Sequence, residues 1–136
     1  MLSKRVLVID DDVCFVRVWE YILTQEGFLV SAVANVREAK LYLKERTPDV
    51  ILCDVNLPEL DDTNFYRYLR TSPRTRNIPV VMLGALGDEK RRTLSKKCGA
   101  RGFLEKPFSR EQLMEVLHKV LQCSNHKSET NNTTLI

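Results

Sequence analysis

The stretch Val6-Leu7-Val8-Ile9-Asp10-Asp11-Asp12 decides how the rest of the chain is read. Its first residues are apolar and mostly β-branched, with no polar alternation, which is the pattern of a strand buried on both faces. Asp10, Asp11 and Asp12 end that run abruptly. From Val13 to Glu26, the apolar residues Phe15, Val16, Trp19, Ile22 and Leu23 recur at steps of three and four, the period of a helix with one buried face. Gly27 follows as a helix terminus should. A buried strand, an acidic turn and an amphipathic helix make one βα unit.

The same unit recurs along the chain. Phe28 to Ala34 reads as a second strand, and Val36 to Arg46 as a helix ended near Thr47-Pro48. Val50-Ile51-Leu52-Cys53 is a third strand, followed by the turn Asp54-Val55-Asn56-Leu57-Pro58 and a helix from Thr63 to Arg70. Val80 to Leu83 and Gly102-Phe103-Leu104 supply two more strands, with a helix from Asp88 to Lys97 between them. Ser109 is placed to N-cap the last helix, whose Leu113, Val116, Leu117, Val120 and Leu121 share one face. Strands apolar on both faces, alternating with helices, predict an α/β fold: a single doubly wound (βα)5 domain whose five-stranded parallel sheet is covered on each side. Residues 1–123 are expected to form this domain, and the polar, aperiodic residues 124–136 a flexible tail.

Composition narrows the function. With 136 residues, the chain has room for one domain and none for a fused kinase or DNA-binding domain. Its apolar runs fall far below the roughly 20 residues of a membrane span, and the amino-terminal run is too short for a signal peptide, so a cytoplasmic protein without a membrane partner is expected. The four cysteines Cys14, Cys53, Cys98 and Cys123 lack C-x-x-C spacing and read as reduced packing or surface residues, not a zinc site. A net charge of +3 is too slight an excess to call for nucleic acid.

In an open parallel sheet, ligands bind beyond the carboxyl ends of the strands. There stand Asp10, Asp11 and Asp12 after the first strand, Asp54 after the third, and Glu105, Lys106 and Pro107 after the fifth. Converging carboxylates repel unless a cation neutralises them, and Mg2+ binds through one or two carboxylates together with waters and phosphate oxygens. The lysine adds a fixed point charge. A carboxylate held by both cations suits the role of a phosphoryl-accepting nucleophile.

The segments Val8-Ile9-Asp10-Asp11-Asp12, Asp54-Val55-Asn56-Leu57-Pro58 and Lys106-Pro107-Phe108 resemble those of the receiver domains of two-component response regulators, of the CheY-like kind, over about Lys4 to Leu121. The resemblance implies a flavodoxin-like sheet of order 2-1-3-4-5. It implies Asp54 as the phosphoacceptor, with Mg2+ on Asp11, Asp54 and the backbone carbonyl of Asn56, and with Asp10 supporting the metal through water. Lys106 would pair with Asp54 and then with its phosphoryl group, the bond to Pro107 would be cis, and Phe103 would be the switch aromatic that turns inward on activation. Phe103 reads equally as a core aromatic on a short strand. The implied donor is a sensor histidine kinase or a histidine phosphotransfer protein. The implied output is a protein or domain that meets the fourth helix, fifth strand and fifth helix, without direct nucleic-acid contact. Such a protein is no enzyme beyond catalysing its own phosphorylation and dephosphorylation.

Three residues depart from the family pattern. Gly84 stands where a serine or threonine usually binds a phosphoryl oxygen, Asp62 where glycine is preferred, and Leu86 where a polar residue often influences the hydrolytic water. Gly84 supports an alternative, a receiver-fold interaction module with weak or absent phosphorylation-driven switching. A haloacid-dehalogenase-type phosphatase is the other rival, since Asp10 and Asp12 lie two apart after a strand, but Cys14 stands where that motif needs threonine or valine. Arg91, Arg92, Lys96 and Lys97 on the fourth helix read as a solvated surface or as a site for an acidic partner.

Overall fold

Val6 and Val8 face one side of the sheet and Leu7 and Ile9 the other, and all four are buried, so the first strand needs apolar cover on both faces. The computed structural model describes residues 3–57, 64–85, 87–97 and 99–135, with residues 64, 94, 95 and 123–135 described in backbone only. Its elements are β1 (Arg5–Ile9), α1 (Val13–Gln25), β2 (Leu29–Val33), α2 (Val36–Glu45), β3 (Val50–Asp54), α3 (Asn64–Thr71), β4 (Val80–Ala85), α4 (Glu89–Lys97), β5 (Gly102–Lys106) and α5 (Arg110–Leu135). The strands form one five-stranded parallel sheet of order β2-β1-β3-β4-β5, as the doubly wound reading requires.

Two apolar layers hold this sheet. On one side Val6, Val8, Leu52, Val81 and Leu83 meet Leu23 of α1 and Leu113, Leu117 and Val120 of α5. On the other Leu7, Ile9, Ile51 and Met82 meet Ala39 and Leu43 of α2 and Phe65 and Leu69 of α3. The strict two-residue alternation of a pleated strand sends neighbouring residues into opposite layers.

The helix starts carry their own signals. The Asp12 side chain accepts from the Phe15 amide at 3.1 Å to cap α1, and Gly27 beyond its end takes φ +94, which costs glycine no Cβ clash. Ser109 and Gln112 cap α5 reciprocally, with the Gln112 amide donating to Ser109 Oγ at 3.1 Å and the Ser109 amide to Gln112 Oε1 at 2.8 Å.

Two boundaries differ from expectation. The strands reach further toward the acidic end, so that Asp54, Gly84, Ala85 and Lys106 all lie within the sheet. These residues keep strand pairing, with Ala85 opposite Lys106 and Asp54 opposite Leu83. The backbone of α5 also continues to Leu135, where the sequence reading has a flexible tail from residue 124. No glycine or proline stands between Ser109 and Ile136 to end the helix, and polarity alone does not stop one. Asp62, Leu86 and Cys98 lie outside the described residues, while Cys14 is an exposed thiol and Cys53 is buried in β3. Among the described residues no helix is long and apolar enough to cross a membrane.

Candidate functional site

Because Ile9 of β1 pairs with Cys53 of β3, the next residues, Asp10 just beyond β1 and Asp54 at the end of β3, stand side by side. The β1 register thus converts a long sequence separation into a lateral contact. Asp10 has a fully buried side chain, at 0% exposure, and Asp54 is nearly so at 8%. Asp11 is exposed at the rim. One carboxylate oxygen from each of Asp10, Asp11 and Asp54 falls within 4.8 Å of the others.

Each buried carboxylate has partners. Asp10 Oδ1 accepts from the Asp12 amide at 3.0 Å, and Asp10 Oδ2 from Lys106 Nζ at 2.9 Å. Asp54 Oδ1 accepts from the Asn56 amide at 3.0 Å, and Lys106 Nζ lies 3.9 Å from Asp54 Oδ2. Lys106 therefore hydrogen-bonds to Asp10 and also makes a longer ion pair with Asp54, the partner that the resemblance implies for it. The deeper carboxylate has more to gain from a hydrogen-bonded cation. The Lys106–Pro107 peptide bond is cis.

Burial pushes the Asp54 carboxyl above its ordinary value, although the Asn56 amide and the Lys106 charge pull it back, and the charges of Asp10 and Asp11 add to the rise. Among the described residues, one ammonium faces three carboxylates, which leaves net negative charge. All-oxygen donors with unbalanced negative charge fit a hard divalent cation such as Mg2+.

Beside this cluster opens a cleft of about 490 Å³ lined by Phe15, Trp19, Asn56, Ala85, Lys106 and Phe108. Sequence reasoning assigned Phe15 and Trp19 to the core face of α1 and nothing more. Lys106 Nζ sits 4.1 Å from the centroid of the Phe15 ring. The one available signal was position: Phe15 lies in the first turn after the acidic loop, next to the strand ends.

Gly84 and Phe103 meet behind the cluster. A Cβ on Gly84 would lie 2.5 Å from Phe103 Cζ and 3.0 Å from Val55 Cγ2. The Phe103 ring is thus turned inward against the layer that holds Val55, and the Arg92 guanidinium covers it at 5.3 Å. Arg92 also bonds Glu105 at 3.2 Å, and Arg91 donates to the Val55 carbonyl at 2.7 Å, which ties α4 to the loop after β3. Neither arginine contact was foreseen, because side-chain reach between a helix and a neighbouring loop leaves no periodic trace.

The response regulator receiver domain model matches residues 6–118. The chain belongs to the response regulator receiver domain family. Among relatives, it is 32% identical over 136 residues to the phosphate regulon transcriptional regulatory protein PhoB of Rhizobium meliloti (strain 1021), covering 91% of this chain and 60% of that protein. It thus spans little more than half the length of the curated relatives it matches. Among structures, the chemotaxis response regulator CheY4 of Vibrio cholerae is 30% identical with a TM-score of 0.80, covering 88% of this chain and 100% of that one. A receiver domain of a sensor histidine kinase from Pseudomonas aeruginosa PAO1, which holds a magnesium ion in its active-site cleft, is 27% identical with a TM-score of 0.79, covering 89% of this chain and 99% of that one. This receiver domain shares their CheY-like, flavodoxin-like fold and is the receiver domain of a two-component response regulator.

Proposed function

We propose that this receiver accepts a phosphoryl group on Asp54 from the phosphohistidine of a sensor histidine kinase or a histidine phosphotransfer protein. The observation that carries the reading is the meeting of the Asp10, Asp11 and Asp54 carboxylates within 4.8 Å beside the ammonium of Lys106. Asp11, Asp54 and the backbone carbonyl of Asn56 would hold Mg2+, with Asp10 supporting it through water. Bound there, the ion would offset the carboxylate charge and polarise the oxygens of an incoming phosphoryl group. Asp54 supplies the nucleophilic oxygen, and Asn56 fixes its carboxylate through the hydrogen bond that its backbone amide donates to Oδ1. Lys106 stands within reach of Asp54 and can meet the charge of the transferred group. The protein then catalyses only its own phosphorylation and dephosphorylation.

The output reading assigns a protein partner to the surface formed by α4, β5 and α5. The cations Lys96 and Arg101 beside Phe103 suit an acidic protein partner, although the PhoB relatives are transcriptional regulatory proteins. Incubation with acetyl phosphate or a phosphorylated histidine donor, with and without Mg2+, tests the assignment by intact mass. A single acid-labile phosphoryl adduct that needs the metal and disappears in Asp54→Asn is expected. A label that survives that substitution contradicts it.

A further inference from the structure

Four contacts close a ring at the mouth of the site. Asp10 Oδ1 accepts from the Asp12 amide at 3.0 Å, and Asp12 Oδ1 accepts from the Phe15 amide at 3.1 Å. The Phe15 ring then stands 4.1 Å from Lys106 Nζ, which returns to Asp10 Oδ2 at 2.9 Å. The ring plane is itself braced. Phe108 meets Phe15 edge to face at 5.8 Å and 84°, and Trp19 packs on Phe108 at 4.6 Å.

We propose that Phe15 is a positioning residue for phosphoryl transfer, its ring holding the Lys106 ammonium over the gap between Asp10 and Asp54. The inference rests on the phosphoacceptor reading of Asp54. A π face attracts a cation without a directional bond, so the ammonium can pass from Asp10 toward Asp54 while it stays on the ring. A carboxylate or amide oxygen in place of the π face would compete for it instead. The ring also excludes water from one side of the lysine, which strengthens its attraction to both carboxylates. In the reaction this serves, an Asp54 oxygen bonds to the phosphorus of acetyl phosphate while the phosphorus–oxygen bond to the acetyl group breaks. Acetate leaves with the electron pair, and the ammonium follows the charge that arrives on Asp54.

The test uses the whole chain with Mg2+ and acetyl phosphate, and reads the labelling rate against donor concentration. Phe15→Leu keeps an apolar filler and removes the π face. It is expected to lower the maximal rate about three- to tenfold, with the half-saturating donor concentration little changed. Phe15→Tyr is expected to restore most of that rate. In parallel, the ε-methylene protons of Lys106 are expected upfield in wild type and in Phe15→Tyr through the ring current, and at an ordinary lysine position in Phe15→Leu. Should Phe15→Leu fail to fold, Phe15→Met makes the same comparison. A Leu or Met variant labelled at the wild-type maximal rate, or a Tyr variant as slow as they are, overturns the positioning role. Absence of label on wild type, or label retained in Asp54→Asn, overturns the phosphoacceptor reading instead.

Discussion

The ring of Phe103 occupies the place where a side chain at Gly84 would begin, with Phe103 Cζ only 2.5 Å from the position of a Cβ there. Glycine at 84 is therefore a steric condition for the inward ring as well as the loss of a hydroxyl. Gly84→Thr is expected to drive the ring outward, toward the cleft lined by Arg92, Lys96 and Arg101, at a cost of about 1–3 kcal/mol. Urea unfolding and the aromatic resonances of Phe103 check this together. Unchanged stability with an unmoved ring contradicts the packing argument.

The same contact bears on switching. A modification shifts a two-state element only by its difference in interaction with the two states. In the wild-type chain the ring is already inward, and residue 84 can offer a phosphoryl oxygen no hydroxyl. Beryllofluoride is expected to bind at Asp54 yet to move the amides of Gly84, Ala85, Gly87 and Phe103 less than it does in Gly84→Thr. Equally large shifts in both proteins would show that the hydroxyl is dispensable, and would remove the support for a weakly switching module.

Asp54 supplies a pH test. Its carboxyl lies above the ordinary value of 3.8 through burial, so the folded state binds the proton more tightly than the unfolded one. Stability without metal therefore falls as pH rises from about 3.8 through the higher folded value. Asp54→Asn removes that loss. The variant is expected to melt above wild type at neutral pH in metal-free buffer, with the advantage shrinking in acid.

Mg2+ is expected to raise the melting temperature of wild type, because a ligand bound at 100 times its Kd adds about 2.7 kcal/mol. The gain should be much smaller in Asp11→Ala, which removes the rim carboxylate. A melting temperature indifferent to millimolar Mg2+ contradicts the metal site.

Lys106→Met leaves the buried Asp10 carboxylate without its bonded cation. Removing one partner of a buried pair costs up to about 3–5 kcal/mol, and the 25% exposure of the lysine places this case toward the lower part of that range. Mg2+ is expected to recover much of the loss in a thermal melt, since it neutralises the same carboxylates.

The parts of this site legible in the sequence are those that sheet geometry makes local. Val6 to Ile9 and Val50 to Cys53 read as buried strands, and the acids that follow them must emerge together once the strands are neighbours. What escaped depends on side-chain reach. Lys106 favours Asp10 over Asp54 by one hydrogen bond, a choice made by relative depth and invisible to spacing. Phe15 follows the same helical period as Val16 and Trp19, so its second role beneath the lysine has no pattern of its own. The Gly84–Phe103 contact joins strands β4 and β5, and only their register brings the two residues together.

The strand order also sets a sequence in time. Asp10 follows β1 and Asp54 ends β3, adjacent strands made early, whereas Lys106 closes the last strand of the sheet. During synthesis from the amino terminus, both acids leave the ribosome before their counter-charge exists. A nascent β1–β3 pair thus brings together two carboxylates that only a dissolved cation can reconcile, until β5 arrives with its lysine.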